Sequence, residues 1–119
     1  MPASTQMGIH NSLGTRFVHN KGFRRVVLAR ELTLKELDDI TAQTKVETEV
    51  FIHGALCYSF SGMCLYSSYA GGRGTNRGLC AQPCRRVYQT SGKQKFLFNL
   101  KDNQQLNLIG KLGKMGVSA

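Results

Sequence analysis

Four cysteines, Cys57, Cys64, Cys80 and Cys84, fall within a 28-residue window, and the other 91 residues contain none. The same window holds Gly62, Gly71, Gly72, Gly74 and Gly78, so the backbone there can turn tightly around a small object. It also carries Arg73, Arg77, Arg85 and Arg86, whose charge favours thiolate, the form of cysteine that binds metal. A segment dominated by Gly, Ser and Cys has no sustained hydrophobic period of its own. Whatever it folds around must take the place of a hydrophobic core.

The spacing reads C-x6-C-x15-C-x3-C, with Pro83 before the last cysteine. Zinc knuckles use a C-x2–4-C pair that chelates from one turn, and only Cys80 and Cys84 approach it. An iron–sulfur cluster is larger and accepts wider, irregular spacing between its four thiolates. Zinc is the alternative to a cluster, and ordinary buried cysteines or two disulfides are the plainest reading. Met1 to His10 lacks the charged start and apolar stretch of a secretory signal, which argues against disulfides by compartment.

The formal net charge is +9 and unevenly placed. No acidic residue occurs between Glu49 and Asp102, a stretch containing Arg73, Arg77, Arg85, Arg86, Lys93, Lys95 and Lys101. Such a block attracts phosphate-rich partners, RNA among them. It can equally compensate an anionic cluster held on four thiolates. No apolar run approaches the roughly 18 residues of a membrane span.

Outside the cysteine window the chain has regular periods. Residues 1–6 suit the tail of a strand. Ile9, Leu13 and Phe17 mark one face of a helix over Ile9–Asn20, ended near Gly22. Val26-Val27-Leu28-Ala29 reads as a buried strand. Thr33 and Glu36 form a capping-box pair ahead of Leu34, Leu37 and Ile40. From Val46 to Ile52 the residues alternate, with Val46, Thr48, Val50 and Ile52 on one face. Residues 54–90 have no period and read as a functional insertion. Phe96–Leu100 is expected as a strand, Asp102 as the cap of a last helix with Gln105 reaching back, and Val117–Ala119 as the start of a further strand. This βα alternation implies parallel strands with helical crossovers. The expected fold class is α/β, a contiguous piece of a TIM-like (β/α) barrel with a Cys/Gly-rich insertion, about half of the roughly 250 residues a full barrel needs. A small open parallel sheet is the alternative. As a barrel piece, the 119 residues would lack the remainder of the barrel and leave strand edges and an inner strand face uncovered.

The segment Glu49-Val50-Phe51-Ile52-His53-Gly54-Ala55-Leu56-Cys57, followed by Ser61-Gly62-Met63-Cys64 and Ser67, closely resembles the signature of the peptidase U32 (collagenase-like protease) family. Asn76-Arg77-Gly78, Cys80-Ala81-Gln82-Pro83-Cys84-Arg85, Asn99-Leu100-Lys101-Asp102 and the strand Val26–Leu32 extend the likeness over nearly the whole chain. Tyr66 stands where the family prefers an aliphatic residue. The resemblance implies a barrel-like catalytic domain, 1–119 being part of it, in a bacterial cytoplasmic protein. It implies hydroxylation of RNA bases, on tRNA or rRNA, with a [4Fe–4S] cluster on the four cysteines and prephenate linked to the tRNA branch. The peptidase name keeps a collagenase-like hydrolase as the alternative function.

Glu31, Glu49 and His53 lie near the carboxyl ends of expected strands, where barrel active sites collect. A histidine with two carboxylates can do acid–base work or bind metal. Plainer readings exist: His53 as a hydrogen-bonded loop residue, Glu49 as the partner of an arginine. No H-E-x-x-H or G-x-S-x-G motif is present, so hydrolysis has no local mechanism. His10 and His19 are expected on the first helix, facing solvent.

Overall fold

The computed structural model describes residues 2–119. Its centre is a parallel sheet of β1 (Pro2–Ala3), β2 (Arg25–Val27) and β3 (Glu47–Glu49), paired in chain order. Two helices form the crossovers, α1 (Ser12–Asn20) and α2 (Leu34–Thr41). The ladder runs beyond these bounds: Leu28 N–H donates to the Glu49 carbonyl at 2.9 Å and Ala29 N–H to that of Ile9 at 2.8 Å. On the far side of β3, Ser118 N–H donates to Thr48 O at 2.9 Å, and Val50 N–H to Ala119 O at 3.0 Å. The last residues therefore lie alongside β3 as a fourth extended segment, as their sequence suggests.

Each helix forms for a local reason. Asn11 caps α1, its side chain accepting from Gly14 N–H at 2.8 Å. The helix thus starts three residues later than the Ile9 period suggests, and Ile9 is buried from the preceding loop instead. The capping box of α2 is complete, Thr33 accepting from Glu36 N–H while the Glu36 carboxylate accepts from Thr33 N–H at 2.7 Å. Helices and sheet meet on one face only. Ala3, Val26, Leu28 and Val46 pack there against Val18, Leu37, Ile40 and Leu112. The opposite face carries the ion pairs of Arg25 with Glu47 at 2.8 Å and Glu49 at 3.7 Å. The alternation read from Val46 onward is correct, with the polar set turned away from the helices. A single helical layer leaves the chain extended, with a radius of gyration of 16.1 Å against about 13.5 Å for a compact domain of this length.

After β3 the chain leaves the sheet at β4 (His53–Gly54). It makes α3 (Tyr66–Gly71), β5 (Tyr88–Thr90) and β6 (Lys93–Lys95), then returns through β7 (Asn103–Gln104) to α4 (Ile109–Lys114). β4 pairs antiparallel with β7, Gln105 N–H donates to Ile52 O at 2.8 Å, and Asn103 Nδ2 to Phe51 O at 2.9 Å. This short ladder closes the base of an excursion spanning 55–102, longer than the insertion expected from sequence. Phe96–Leu100 is not a strand: it lies inside the excursion with no ladder partner. Asp102 caps no helix, because its carboxylate is taken by Arg85, and α4 begins only after a 3-10 turn at Leu106–Leu108. Among the described residues no helix is long and apolar enough to cross a membrane.

Candidate metal centre

Two devices hold the cysteine loops in place. The first ties the loop between Cys57 and Cys64 to the carboxyl end of β2. Ser61 N–H donates to Glu31 Oε1 at 2.9 Å, Arg30 donates from its backbone and from Nε to Ser61 Oγ at 3.3 Å, and Arg30 Nη2 reaches Ser59 O at 3.4 Å. Gly62 then passes so close to the 5–7 turn that a Cβ on it would sit 2.4 Å from the Gln6 carbonyl oxygen, and its φ is +79°. Only glycine fits there. The second device ties the Cys80–Cys84 loop to α3. Ser67 is fully buried and its Oγ accepts from Ala81 N–H at 2.8 Å. Gly71 lets the helix approach Ala81, where a Cβ would lie 2.9 Å from that of Ala81. Pro83 opens a one-turn 3-10 helix that carries Cys84 and Arg85.

These supports bring Cys57, Cys64, Cys80 and Cys84 around common space. All four line a cavity of about 340 Å³ whose remaining wall includes Tyr58, Tyr66, Pro83 and Phe98. They also line a second cavity of about 210 Å³, bordered by Gln6, Arg30, Gln82 and Arg85. The cysteines thus stand between an aromatic-walled space and one that also takes in Arg30 and Arg85. None is in a disulfide. Burial pushes the Cys84 thiol up, and the nearby Cys57, Cys80 and Cys64 add to that shift as thiolates, since like charges oppose its ionisation. Cys64 goes the other way. Burial opposes its ionisation too, but is outweighed by the N–H groups of Tyr66 and Ser67 at the start of α3 and by nearby hydroxyls. No three His, Cys, Asp or Glu side chains converge on a single point among the described residues.

The apolar wall is built on Phe98, which meets Tyr58, Tyr66 and Tyr88 edge-on at centroid distances of 5.4, 5.7 and 5.3 Å. The hydroxyls of Tyr66 and Tyr88 hydrogen-bond each other, and that of Tyr88 donates to Pro83 O at 2.7 Å. Edge-to-face packing of this kind adds to area burial.

The other sequence candidates divide. Glu31 is at the site, accepting from Ser61 and sharing a cavity with Cys57. Glu49 is held by Arg25 on the open face of the sheet, the plainer of its two readings. His53 is exposed on β4. Arg73, Arg77 and Arg86 are exposed and form no ion pair among the described residues. Arg85 differs from them: it is half-buried, and its Nη2 donates to Asp102 Oδ1 at 2.7 Å. His10 precedes α1 rather than sitting on it, and His19 is exposed near the end of α1. Arg30, Ser61, Tyr88, Phe98 and Asp102 belong to the site without having been singled out for it. Arg30, Ser61 and Asp102 do lie inside the family-like segments, which was the available signal. Nothing local marks Phe98 or Tyr88.

The family model described as Peptidase family U32 matches residues 1–119. A 23S rRNA 5-hydroxycytidine synthase of Escherichia coli is 41% identical over 97% of this chain and 19% of its own length. The tRNA hydroxylation protein P1 of Bacillus subtilis is 35% identical over 98% of this chain and 31% of its own. A collagenase of Porphyromonas gingivalis is 34% identical over 96% and 32%. The chain therefore spans about a fifth to a third of the length of these relatives. No solved structure is significantly similar to it. The family match over residues 1–119 places the chain in peptidase family U32.

Proposed function

We propose that this chain is the iron–sulfur-bearing part of a U32 enzyme that hydroxylates RNA bases, set within a larger (β/α) barrel. The observation that carries the reading is the set of four free thiols lining one cavity of about 340 Å³. Their C-x6-C-x15-C-x3-C spacing is wider than the C-x2–4-C pairs of zinc knuckles and suits the larger body of a cluster. The buried Nη1 of Arg85, which has no hydrogen-bond partner among the described residues and belongs to a residue sharing a cavity with the same cysteines, also fits an anionic occupant. A bound cluster would supply one-electron transfer. The protein's own part is to hold the four cysteines on two braced loops, with the N–H groups at the start of α3 favouring the thiolate of Cys64. The Phe98 group excludes water from one side. Arg73, Arg77 and Arg86 form an exposed basic surface suited to RNA phosphates. Relatives named for rRNA and tRNA hydroxylation favour RNA over peptide as substrate. Ser61 and Ser67, the buried serines of the loops, are hydrogen-bonded to structural partners, which ties up these two hydroxyls.

Anaerobic reconstitution tests the cofactor. Brown protein with four irons and matching sulfide is expected, and Cys→Ser at any of the four positions should lower iron content. Colourless protein with one zinc per chain would overturn it. For the substrate, mass spectrometry of RNA from cells lacking the protein should reveal a missing hydroxylated pyrimidine. Unaltered tRNA and rRNA would remove the RNA reading.

A further inference from the structure

Arg85 is fixed on one side and open on the other. Nη2 donates to Asp102 Oδ1 at 2.7 Å, from the segment just before β7. Nη1 is buried and has no hydrogen-bond partner among the described residues. The backbone of the same turn is locked, with Arg85 N–H donating to Gln82 O at 3.0 Å and Arg86 N–H to Pro83 O at 3.1 Å. Arg85 lines the cavity of about 210 Å³ together with all four cysteines and directly follows Cys84. A buried guanidinium donor left unpaired is costly, and Asp102 can neutralise only part of the fork. The remaining N–H belongs to a residue that shares a cavity with all four cysteines. Arg73, Arg77 and Arg86, by contrast, are exposed.

We propose that Arg85 is the electrostatic partner of the anionic sulfur assembly on Cys57, Cys64, Cys80 and Cys84, its fork aimed by Asp102, and that it raises the reduction potential of that assembly instead of contacting RNA. This rests on the cluster reading above. The direction follows from charge: reduction adds an electron to an already anionic group, and a neighbouring cation with a hydrogen bond stabilises the reduced form more than the oxidised one. Removing it should make reduction harder.

The test compares wild type, Arg85→Gln and Arg86→Gln in the anaerobically reconstituted protein. Iron and sulfide content, a redox titration followed by visible absorbance, and the salt dependence of RNA binding are measured on each. Arg85→Gln should shift the redox equilibrium about tenfold toward the oxidised form, about 59 mV more negative for a one-electron couple. Its RNA salt slope should not change. Arg86→Gln, which removes an equal charge one residue away, should leave the potential in place and reduce the slope. If both variants move the potential equally, the effect is general charge and the specific role fails. If Arg85→Gln keeps its potential while its salt slope falls by about one, Arg85 is a phosphate contact and the proposal is wrong. Should Arg85→Gln not fold, Arg85→Lys carries the test, with a smaller shift of the same sign expected and an unchanged potential refuting the role. Wild-type protein that takes up no cluster would sink the cofactor reading itself, and this proposal with it.

Discussion

Replacing Gly62 by alanine should cost more than any other single methyl added at a glycine of this chain. Two terms add. The φ of +79° is a left-handed conformation, worth about 1–2 kcal/mol against an L-residue. The new Cβ would also lie 2.4 Å from the Gln6 carbonyl oxygen and 3.2 Å from its carbon. That neighbour is backbone, so relief requires separating the Ser61–Cys64 loop from the 5–7 turn, about 1–3 kcal/mol by analogy with overpacked cores. The sum, about 2–5 kcal/mol, is a large part of a typical stability of about 5–15 kcal/mol. Gly22→Ala supplies the comparison, since its φ is +82° but nothing lies within 4 Å of its Cβ. Urea unfolding should place Gly62→Ala well below Gly22→Ala in midpoint. Reconstituted Gly62→Ala should also lose iron, because Cys64 moves with the loop, while Gly22→Ala should not. Equal midpoints and equal iron for the two variants would refute the claim that the Gln6 contact fixes the loop.

Thr33→Ala should cost about 1 kcal/mol through the lost N-cap, read by thermal or urea unfolding. It should also flatten the acid limb of stability. In the wild type the Thr33 N–H, and then its hydroxyl, hold the Glu36 carboxyl below the usual carboxylate range. That stabilisation is complete above the ordinary carboxylate pKa and is lost as pH falls through the lowered folded value. In reduced, metal-free protein, alkylation mapped by mass spectrometry should modify Cys64 from a lower pH than Cys84, since one thiol is held down and the other pushed up; the reverse order would contradict the supports described for them. Arg73→Ala or Arg77→Ala should weaken RNA binding and lower its salt slope by about one each with iron content unchanged, and a loss of iron instead would make them counter-ions.

What could be read in advance was what short-range chemistry dictates. The Thr33 and Glu36 pair announced α2, and the alternation from Val46 to Ile52 announced which side chains would meet the helices, because both signals are complete within a few residues. The cysteines were legible as a group from spacing alone. Their supports were not. Ser67 to Ala81, Ser61 to Glu31 and Arg85 to Asp102 join residues 14, 30 and 17 positions apart, and no local pattern encodes such partners. Phe96–Leu100 misled because an apolar run suits a strand equally well as a loop that sends one ring, Phe98, into an aromatic cluster. The hairpin of β5 and β6 did leave a trace, the Ser91-Gly92 pair with positive φ at both residues, the turn chemistry that two-residue hairpins require. Glu49 stayed open because its partner Arg25 lies on another strand, and only the β2–β3 register decides that they meet.

The aromatic wall gives the protein a built-in optical reporter. The chain has no tryptophan and four tyrosines, so its ultraviolet emission is tyrosine emission. Three of the four, Tyr58, Tyr66 and Tyr88, touch Phe98 at the cysteine cavity. An iron–sulfur chromophore in that cavity absorbs across the near-ultraviolet band in which tyrosine emits, and energy transfer over so short a path is efficient. Under the iron–sulfur reading, loading would darken the emission of the three tyrosines packed on Phe98. Occupancy could then be followed in real time, without a label, by the loss of light from three rings.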